Sequence, residues 1–198
     1  MTTSTVYTQV NRVSAAICAQ ALQTSVSDLH EAMGGTLAKA HTMSHLMRPL
    51  ITGVRIAGPA VTAHCPPADN LMMHKSLYLS QKGDVLMVQC PESGAQWGDM
   101  AAFYAKQKGL AGVVVDGFIR DTDDLIEMQS AVWATKIGPS SPQKIGHGSV
   151  NAPIVCDGVY VEPGDLVVAD GDGVIVIPRQ QAESVVRRAL ERKNKEDA

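Results

Sequence analysis

At 198 residues, 45% hydrophobic and 19% charged, the chain has the size and makeup of one soluble domain with a real core, expected over residues 1–198. A formal net charge of −3 gives no reason to expect nucleic acid or an anionic membrane as partner, and neither is expected. No stretch approaches the roughly 18 consecutive apolar residues of a membrane span. The N-terminal segment is interrupted by Asn11, Arg12, Ser14 and Gln20, where a signal peptide has a continuous apolar run. Cys18, Cys65, Cys90 and Cys156 lie far apart, without zinc-like spacing. They read as reduced, buried thiols of a cytoplasmic protein.

Helical apolar spacing covers residues 10–23. The stretch "SDLHEAMGG" predicts a second short helix, with Asp28 as N-cap, Glu31 three residues on, and Gly34-Gly35 as its end. "GVRIAGPAVTAHC" predicts a strand bent or bulged at Gly58-Pro59. "DNLMMHKSLYLSQKG" predicts a short helix, "GDVLMVQC" a strand, and "GDMAAFYAKQKG" an alanine-rich helix with glycine at each end. "AGVVVDG" predicts a buried strand, "DTDDLIEMQ" a short helix and "AVWATKIG" a strand. From Ile154 the texture changes to short β-rich runs broken by Asp-Gly, Pro-Gly-Asp and Gly-Asp-Gly turns, the mark of hairpins. Residues 180–196 predict a polar helix with Ala182, Val185, Val186, Ala189 and Leu190 on one face. The fold class is α/β, with strand–helix–strand units first, a hairpin-rich section near the end, and a terminal helix.

One cluster carries chemistry. The helix from Asp99 to Lys108 is about 15 Å long at 1.5 Å per residue. The strand from Gly112 to Asp116 or Gly117 runs about 16 Å at 3.3 Å per residue. A tight turn at Gly109 sends the strand back along the helix, so Gly98 and Asp99 are expected near Arg120 and Asp121. A helix N-terminus attracts an anion. Arg120 offers a planar fork of donors. Asp121 offers a hard oxygen for a divalent cation, with Asp99 as a second through water. A 2-oxo carboxylate suits this set. The competing reading is a solvated ion pair, with Asp121 merely capping the next helix. His64 and His74 are open between site and scaffold, His147 is a loop residue of open role, and Trp97 either walls a pocket or packs. Lys106 and Lys108 read as a solvated helix face. "DGDG" at 170–173 reads as a hairpin turn, because the twelfth position from Asp170 is Gln181 and not glutamate. No G-x-G-x-x-G comes after a strand, which disfavours a Rossmann nucleotide site.

The stretch "GDMAAFYAKQKGLAGVVVDGFIRD" resembles the central motif of the RraA-like, class II (metal-dependent) pyruvate aldolase family. The resemblance extends to "SDLHEAMGG", "GPAVTAHCPPADNLMMHKSL" and "VEPGDLVVADGDGVIVIPR". "GSVNAPIVCDG" is most similar to the branch that cleaves 4-carboxy-4-hydroxy-2-oxoadipate and 4-hydroxy-4-methyl-2-oxoglutarate. The resemblance implies a β/β/α swivelling, phosphohistidine-domain-like fold assembled as homotrimers or homohexamers. It implies that Asp121 binds Mg2+ or Mn2+ directly, and that Arg120 binds substrate and steadies an enolate. The backbone of Gly98, Asp99, Met100 and Ala101 would hold the substrate carboxylate, and Asp99 would hold a water. An acidic residue near the C-terminus, matched best by Glu196, would reach in from a neighbouring subunit and act through water. Longer aldolase members carry a further C-terminal segment, so bulky substrates are the ones whose turnover this chain is least expected to match.

The expected activity is retro-aldol cleavage of 4-hydroxy-2-oxo acids to pyruvate, with oxaloacetate decarboxylation through the same enolate and Arg120 and Asp99 as catalytic residues. The alternative, also drawn from the resemblance, is a regulator that binds and inhibits an RNA-degrading endonuclease. The retained set Gly98, Asp99, Arg120 and Asp121 favours the first, because a scaffold has no physical need for it.

Overall fold

The computed structural model describes residues 4–196. The first third of the chain holds β1 (Thr5–Val6), α1 (Ala15–Ala21), α2 (Val26–Ala32), a 3-10 turn over Gly35–His41, β2 (Arg48–Pro49) and β3 (Ile56–His64). The central third alternates α3 (Leu71–Leu79), β4 (Val85–Trp97), α4 (Asp99–Lys108), β5 (Gly112–Ile119), α5 (Thr122–Glu127) and β6 (Val132–Ile137). The last third holds β7 (Ser149–Val150), β8 (Ile154–Cys156), β9 (Val159–Val161), β10 (Leu166–Ala169), β11 (Val174–Ile177) and α6 (Arg179–Glu196).

Strands β3, β4, β5 and β6 pair in parallel in sequential order. The helices between them all pack on one face, where Met72, Met73, Ala101, Ala102, Ala105 and Leu125 share a core. Side chains alternate across this sheet, as the two-residue period of a strand requires. Val113 and Val115 of β5 face the helices, and Val114 faces the opposite side. Both faces are covered, which is why β5 reads as an unbroken valine run.

The opposite face packs on a second sheet. There Val85, Met87 and Val114 meet Val167, Ala169, Val174 and Val176 of β10 and β11. The far side of β10–β11, through Leu166, Val168, Ile175 and Ile177, packs on α1, α2 and α6. Strand β3 joins the two sheets. Its first half, Ile56–Pro59, pairs antiparallel with β10, and its second half, Ala60–His64, pairs parallel with β4. The bend expected at Gly58-Pro59 marks this change of partner. A Cβ on Gly58 would stand 2.1 Å from the Gly83 carbonyl oxygen, so only glycine lets the strands cross there.

Three local expectations move. Helix α1 begins at Ala15, not residue 10, because the Ser14 hydroxyl accepts the Ile17 N–H and sets the start. The cap of α2 is Ser25, not Asp28. Asp28 is the other half of a capping box, accepting the Ser25 N–H at 2.8 Å. Strand β4 continues past Cys90 to Trp97, through an irregular pairing with β5 around Gly94. The β-rich end forms hairpins as expected. Asp157-Gly158 has φ of 46° and 79°, the two positive values of a two-residue hairpin turn. The Asp170 N–H bonds the Gly173 carbonyl at 3.0 Å, so the "DGDG" stretch is a turn.

Candidate active site

The site is built where β4 and β5 end. The two strands are parallel neighbours, and their last paired residues are Trp97 and Ile119. The residues just beyond the two strand ends must therefore be adjacent: Gly98 and the start of α4 on one side, Arg120 and Asp121 on the other. The Arg120 N–H donates to the Trp97 carbonyl at 3.0 Å. The expected meeting of Asp99 with Arg120 and Asp121 is present. Its cause is strand pairing carried to Trp97 and Ile119, more than the match of helix and strand lengths. This is also the carboxyl edge of a parallel sheet, where open α/β sheets bind ligands.

Asp121 opens α5 but does not cap it. It has φ 55° and ψ 43°, and its side chain makes no cap hydrogen bond. A non-glycine residue in the left-handed region is uncommon and carries a cost. Its carboxylate turns toward α4. Oδ2 accepts the Asp99 N–H at 3.4 Å and the Arg120 Nε–H at 3.2 Å. Of the competing reading, the partly exposed Arg120–Asp121 ion pair is present, while the capping hydrogen bond from the Asp121 side chain to its own helix is not. Gly98 has extended backbone, so φ does not demand glycine. Close approach does: a Cβ there would lie 2.4 Å from Asp121 Oδ2 and 3.3 Å from Arg120 Cγ.

A cavity of about 310 Å3 opens beside this junction. Gly98, Asp99, Met100, Ala101 and Arg120 all line it. Asp121 lines the adjoining cleft of about 270 Å3, and Arg120 is the shared wall. Arg120 Nη1 donates to Ser141 Oγ at 2.7 Å, which pins the guanidinium from the other side. At the start of α4 the Met100 N–H donates to Asp99 Oδ1 at 2.6 Å. The Ala101 N–H has no partner among the described residues.

Among the described residues, three buried polar atoms of the cavity lining lack a hydrogen-bond partner: Asn70 Oδ1, Gln96 Oε1 and Trp97 Nε1. Gln96 is 0% exposed and Trp97 1%. Unpaired buried polar groups are rare in native proteins and call for a ligand or water. Trp97 therefore both packs and walls the cavity. His74 lines it as well, half-buried, and burial first, then the charge of Lys144, lowers its pKa. His64 ends β3, exposed, and is not part of the lining. Lys106 and Lys108 do not enter the cavity, nor are they merely solvated. Their ammonium groups donate to the carbonyls of Met128 at 3.2 Å and Leu77 at 3.0 Å.

Sequence reasoning misses Asn70, Gln96, Ser141 and Lys144. The Asp69-Asn70 pair enters it only within a stretch that resembles the family. The loop bearing Ser141 and Lys144 has a Gly/Pro/Ser composition that marks no chemistry. It is held by Asp69, 1% exposed, whose carboxylate takes the N–H groups of Leu71, Ile145 and Gly146. Burial would raise the Asp69 pKa, but these donors outweigh it and hold the carboxyl below its usual range. His147 stands in the same loop, and its charge acts on Asp69 in the same direction.

The junction fits a divalent cation. Asp121 keeps a partly open hard oxygen with weak hydrogen bonds, and Gly98 leaves the space beside it free of a side chain. Among the described residues no three His, Cys, Asp or Glu side chains gather into a cage. One or two carboxylates completed by water and ligand is the magnesium pattern. The Glu196 side chain lies outside the described residues, so its expected role is not addressed by this geometry.

Comparison with known proteins agrees with the motifs. A Halalkalibacterium halodurans protein provisionally named 4-hydroxy-4-methyl-2-oxoglutarate aldolase is 35% identical over 160 residues, covering 79% of this chain and 75% of its own. A Burkholderia mallei protein with the same provisional name is 34% identical, covering 77% and 93%. The crystal structure of Streptomyces coelicolor RraAS2, described as an unusual member of the RNase ES inhibitor RraA protein family, superposes with a TM-score of 0.82 at 29% identity, covering 96% and 98%. The sequence model of the RraA-like family (Aldolase/RraA) matches residues 26–176, and the chain belongs to that family.

Proposed function

We propose that this protein is a divalent-metal-dependent carbon–carbon lyase that releases pyruvate from 4-hydroxy-2-oxo acids and decarboxylates oxaloacetate. The observation that carries the reading is the Asp121 carboxylate. It is turned away from its own helix, in a left-handed conformation, onto Arg120 and the start of α4. Strain at one residue, aimed at an open junction beside a cavity, fits a ligand-binding role better than a scaffold.

The N-terminus of α4 attracts the substrate carboxylate through the free Ala101 N–H and the positive end of the helix dipole. Magnesium or manganese, held by Asp121 directly and by Asp99 through water, would polarise the 2-oxo and carboxylate oxygens as a Lewis acid. Arg120, fixed between Asp121 and Ser141, presents its remaining donors to the 2-oxo oxygen and stabilises the enolate charge as it develops. Asp99 holds the water that takes the proton of the 4-hydroxyl. The C3–C4 bond then breaks, its electron pair enters the enolate, and protonation at C3 yields pyruvate. Oxaloacetate reaches the same enolate by losing carbon dioxide.

The β/β/α swivelling description is supported by two sheets packed back to back through β3. Assembly as a homotrimer or homohexamer is supported by Met100, Phe103 and Tyr104 standing exposed on α4, and entry of Glu196 from a neighbour is part of the same proposal. No helix among the described residues is long and apolar enough to cross a membrane. A second role, binding a ribonuclease, is favoured by the likeness to the Streptomyces RraAS2 structure.

The test is pyruvate release from oxaloacetate and 4-carboxy-4-hydroxy-2-oxoadipate, with magnesium and then with chelator, beside Arg120→Ala and Asp121→Ala. Chelator-sensitive turnover lost in both variants supports the lyase. Turnover no greater than magnesium alone gives, from folded protein, rejects it for these substrates and leaves the ribonuclease reading to a pull-down.

A further inference from the structure

A second pocket, of about 230 Å3, lies between α4 and α5 over the start of β5. None of Gly98, Asp99, Arg120 and Asp121 lines it. The sequence leaves this space for local reasons. Helix α4 turns Ala102 and Ala105 to the sheet, and alanine fills little of the gap. Helix α5 ends at Glu127 after six residues. Met128 beyond it and Val113 of β5 supply further apolar walls. The Lys106 ammonium donates to the Met128 carbonyl at 3.2 Å and so ties the two helices together beside the pocket.

Trp97 also belongs to this lining. The chain has two tryptophans, both buried, and their indole N–H groups differ. Trp133 Nε1 donates to the Asp170 carbonyl at 2.8 Å. Trp97 Nε1 has no partner among the described residues, although a buried indole N–H usually finds one. The unpartnered acceptors Asn70 Oδ1 and Gln96 Oε1 line the first cavity, and the Trp97 N–H meets neither.

The walls narrow the ligand. Among the described residues Lys106 is the one ionisable side chain of the lining, and its ammonium is already on a carbonyl. Apolar walls without a free charge select an uncharged molecule. An apolar cavity of about 150 Å3 holds benzene, so this pocket has room for a six-membered ring with a substituent. A tryptophan N–H only donates, so the substituent must accept.

We infer that the α4–α5 pocket is a second ligand site, for an uncharged, ring-sized carbonyl compound whose oxygen accepts the Trp97 indole N–H. Met128 shapes itself to the ring, as an unbranched thioether does. The site stands apart from the proposed reaction and needs no metal. Its occupant bears on the start of α4 through Trp97, which directly precedes Gly98 and Asp99.

The experiment is a titration of the 15N-labelled full chain with cyclohexanone, read by NMR on the two indole N–H signals, assigned with Trp97→Phe. The Trp97 signal is expected to move and saturate in roughly the millimolar range, which a ligand of this size can reach. The Trp133 signal stays where it is. Ala105→Leu fills this pocket and not the first cavity, and abolishes the shift. Met128→Ala takes away one wall and weakens binding roughly tenfold, the loss of about two methylene contacts. It carries the test should Ala105→Leu fail to fold. A Trp97 signal that does not move, one that moves without saturating, or equal movement of both signals overturns the inference. So does a shift that Met128→Ala and folded Ala105→Leu leave unchanged, because the ligand would then lie elsewhere.

Discussion

Aspartates close turns at two places in this fold, and the two groups are bonded differently. Around β10 and β11, Asp165 takes the N–H groups of Glu162 and Arg179, both at 2.9 Å. Asp170 takes those of Val26 at 2.9 Å and Asp172 at 3.0 Å. At the end of β5, Asp121 receives one N–H at 3.4 Å and one guanidinium contact at 3.2 Å, and leaves its own helix uncapped. The first group spends its bonding capacity on the fold. The second keeps capacity in reserve, in a backbone conformation that costs something to hold. A carboxylate that is both strained and under-bonded, beside a cavity, is where ligand chemistry is to be sought.

Alanine substitution is expected to separate the two groups of aspartates by the widest margin. Asp121→Ala is expected to lower metal-dependent pyruvate release by on the order of 1,000-fold, as loss of a charge-organising group does, with the thermal midpoint nearly unchanged. Asp170→Ala is expected to do the opposite. It leaves the buried Val26 N–H unpaired at a cost of about 1–3 kcal/mol, and activity falls only with the folded fraction. Thermal melts and initial rates on both variants check this. Equal destabilisation would erase the distinction.

Gly98→Ala sharpens the contrast, since its Cβ would meet Asp121 Oδ2 at 2.4 Å. The carboxylate must move, and activity is expected to drop roughly 100-fold, the scale of an ångström-level misplacement, while the extended backbone tolerates alanine. Arg120→Lys keeps the charge but loses the fork between Asp121 and Ser141, and is expected to lose a smaller factor, about tenfold or more in kcat. Steady-state rates on each variant give the order.

The smallest effect belongs to Asp69. Its folded pKa lies below the ordinary carboxyl value of 3.8, so its contribution is present above that value and is lost as pH falls through the folded one. Denaturant midpoints measured from pH 5 downward should fall more steeply for wild type than for Asp69→Asn. Parallel curves would show that Asp69 is not a pH-linked anchor. The cysteines give a control on the scaffold. Burial pushes the thiols of Cys18 and Cys65 up, to about 11 and about 12, so thiol reagents at pH 8 should label the folded protein slowly and the unfolded protein fully.

Features under local control were legible in the sequence. The valine run at 113–115 announces a strand covered on both faces, Gly98 and Gly109 bracket α4, and Asp-Gly turns announce the hairpins. The pairing of a helix start with Arg120 and Asp121 was legible too, from matched helix and strand lengths across the turn at Gly109, although the pairing of β4 with β5 is what sets it. The resemblance carried by these same residues named the family. Tertiary structure decided the rest. That β4 runs to Trp97 depends on its irregular pairing with β5, and no propensity in "PESGAQW" announces it. That Asp121 leaves its helix uncapped depends on where α4 begins. Asn70, Gln96, Ser141 and Lys144 reach the cavity only because Asp69 and strand order bring α3, the end of β4 and the 139–148 segment together. Periodicity records which face of an element is buried. It carries no record of which distant side chains share a cavity, because that is set by packing between elements remote in the chain.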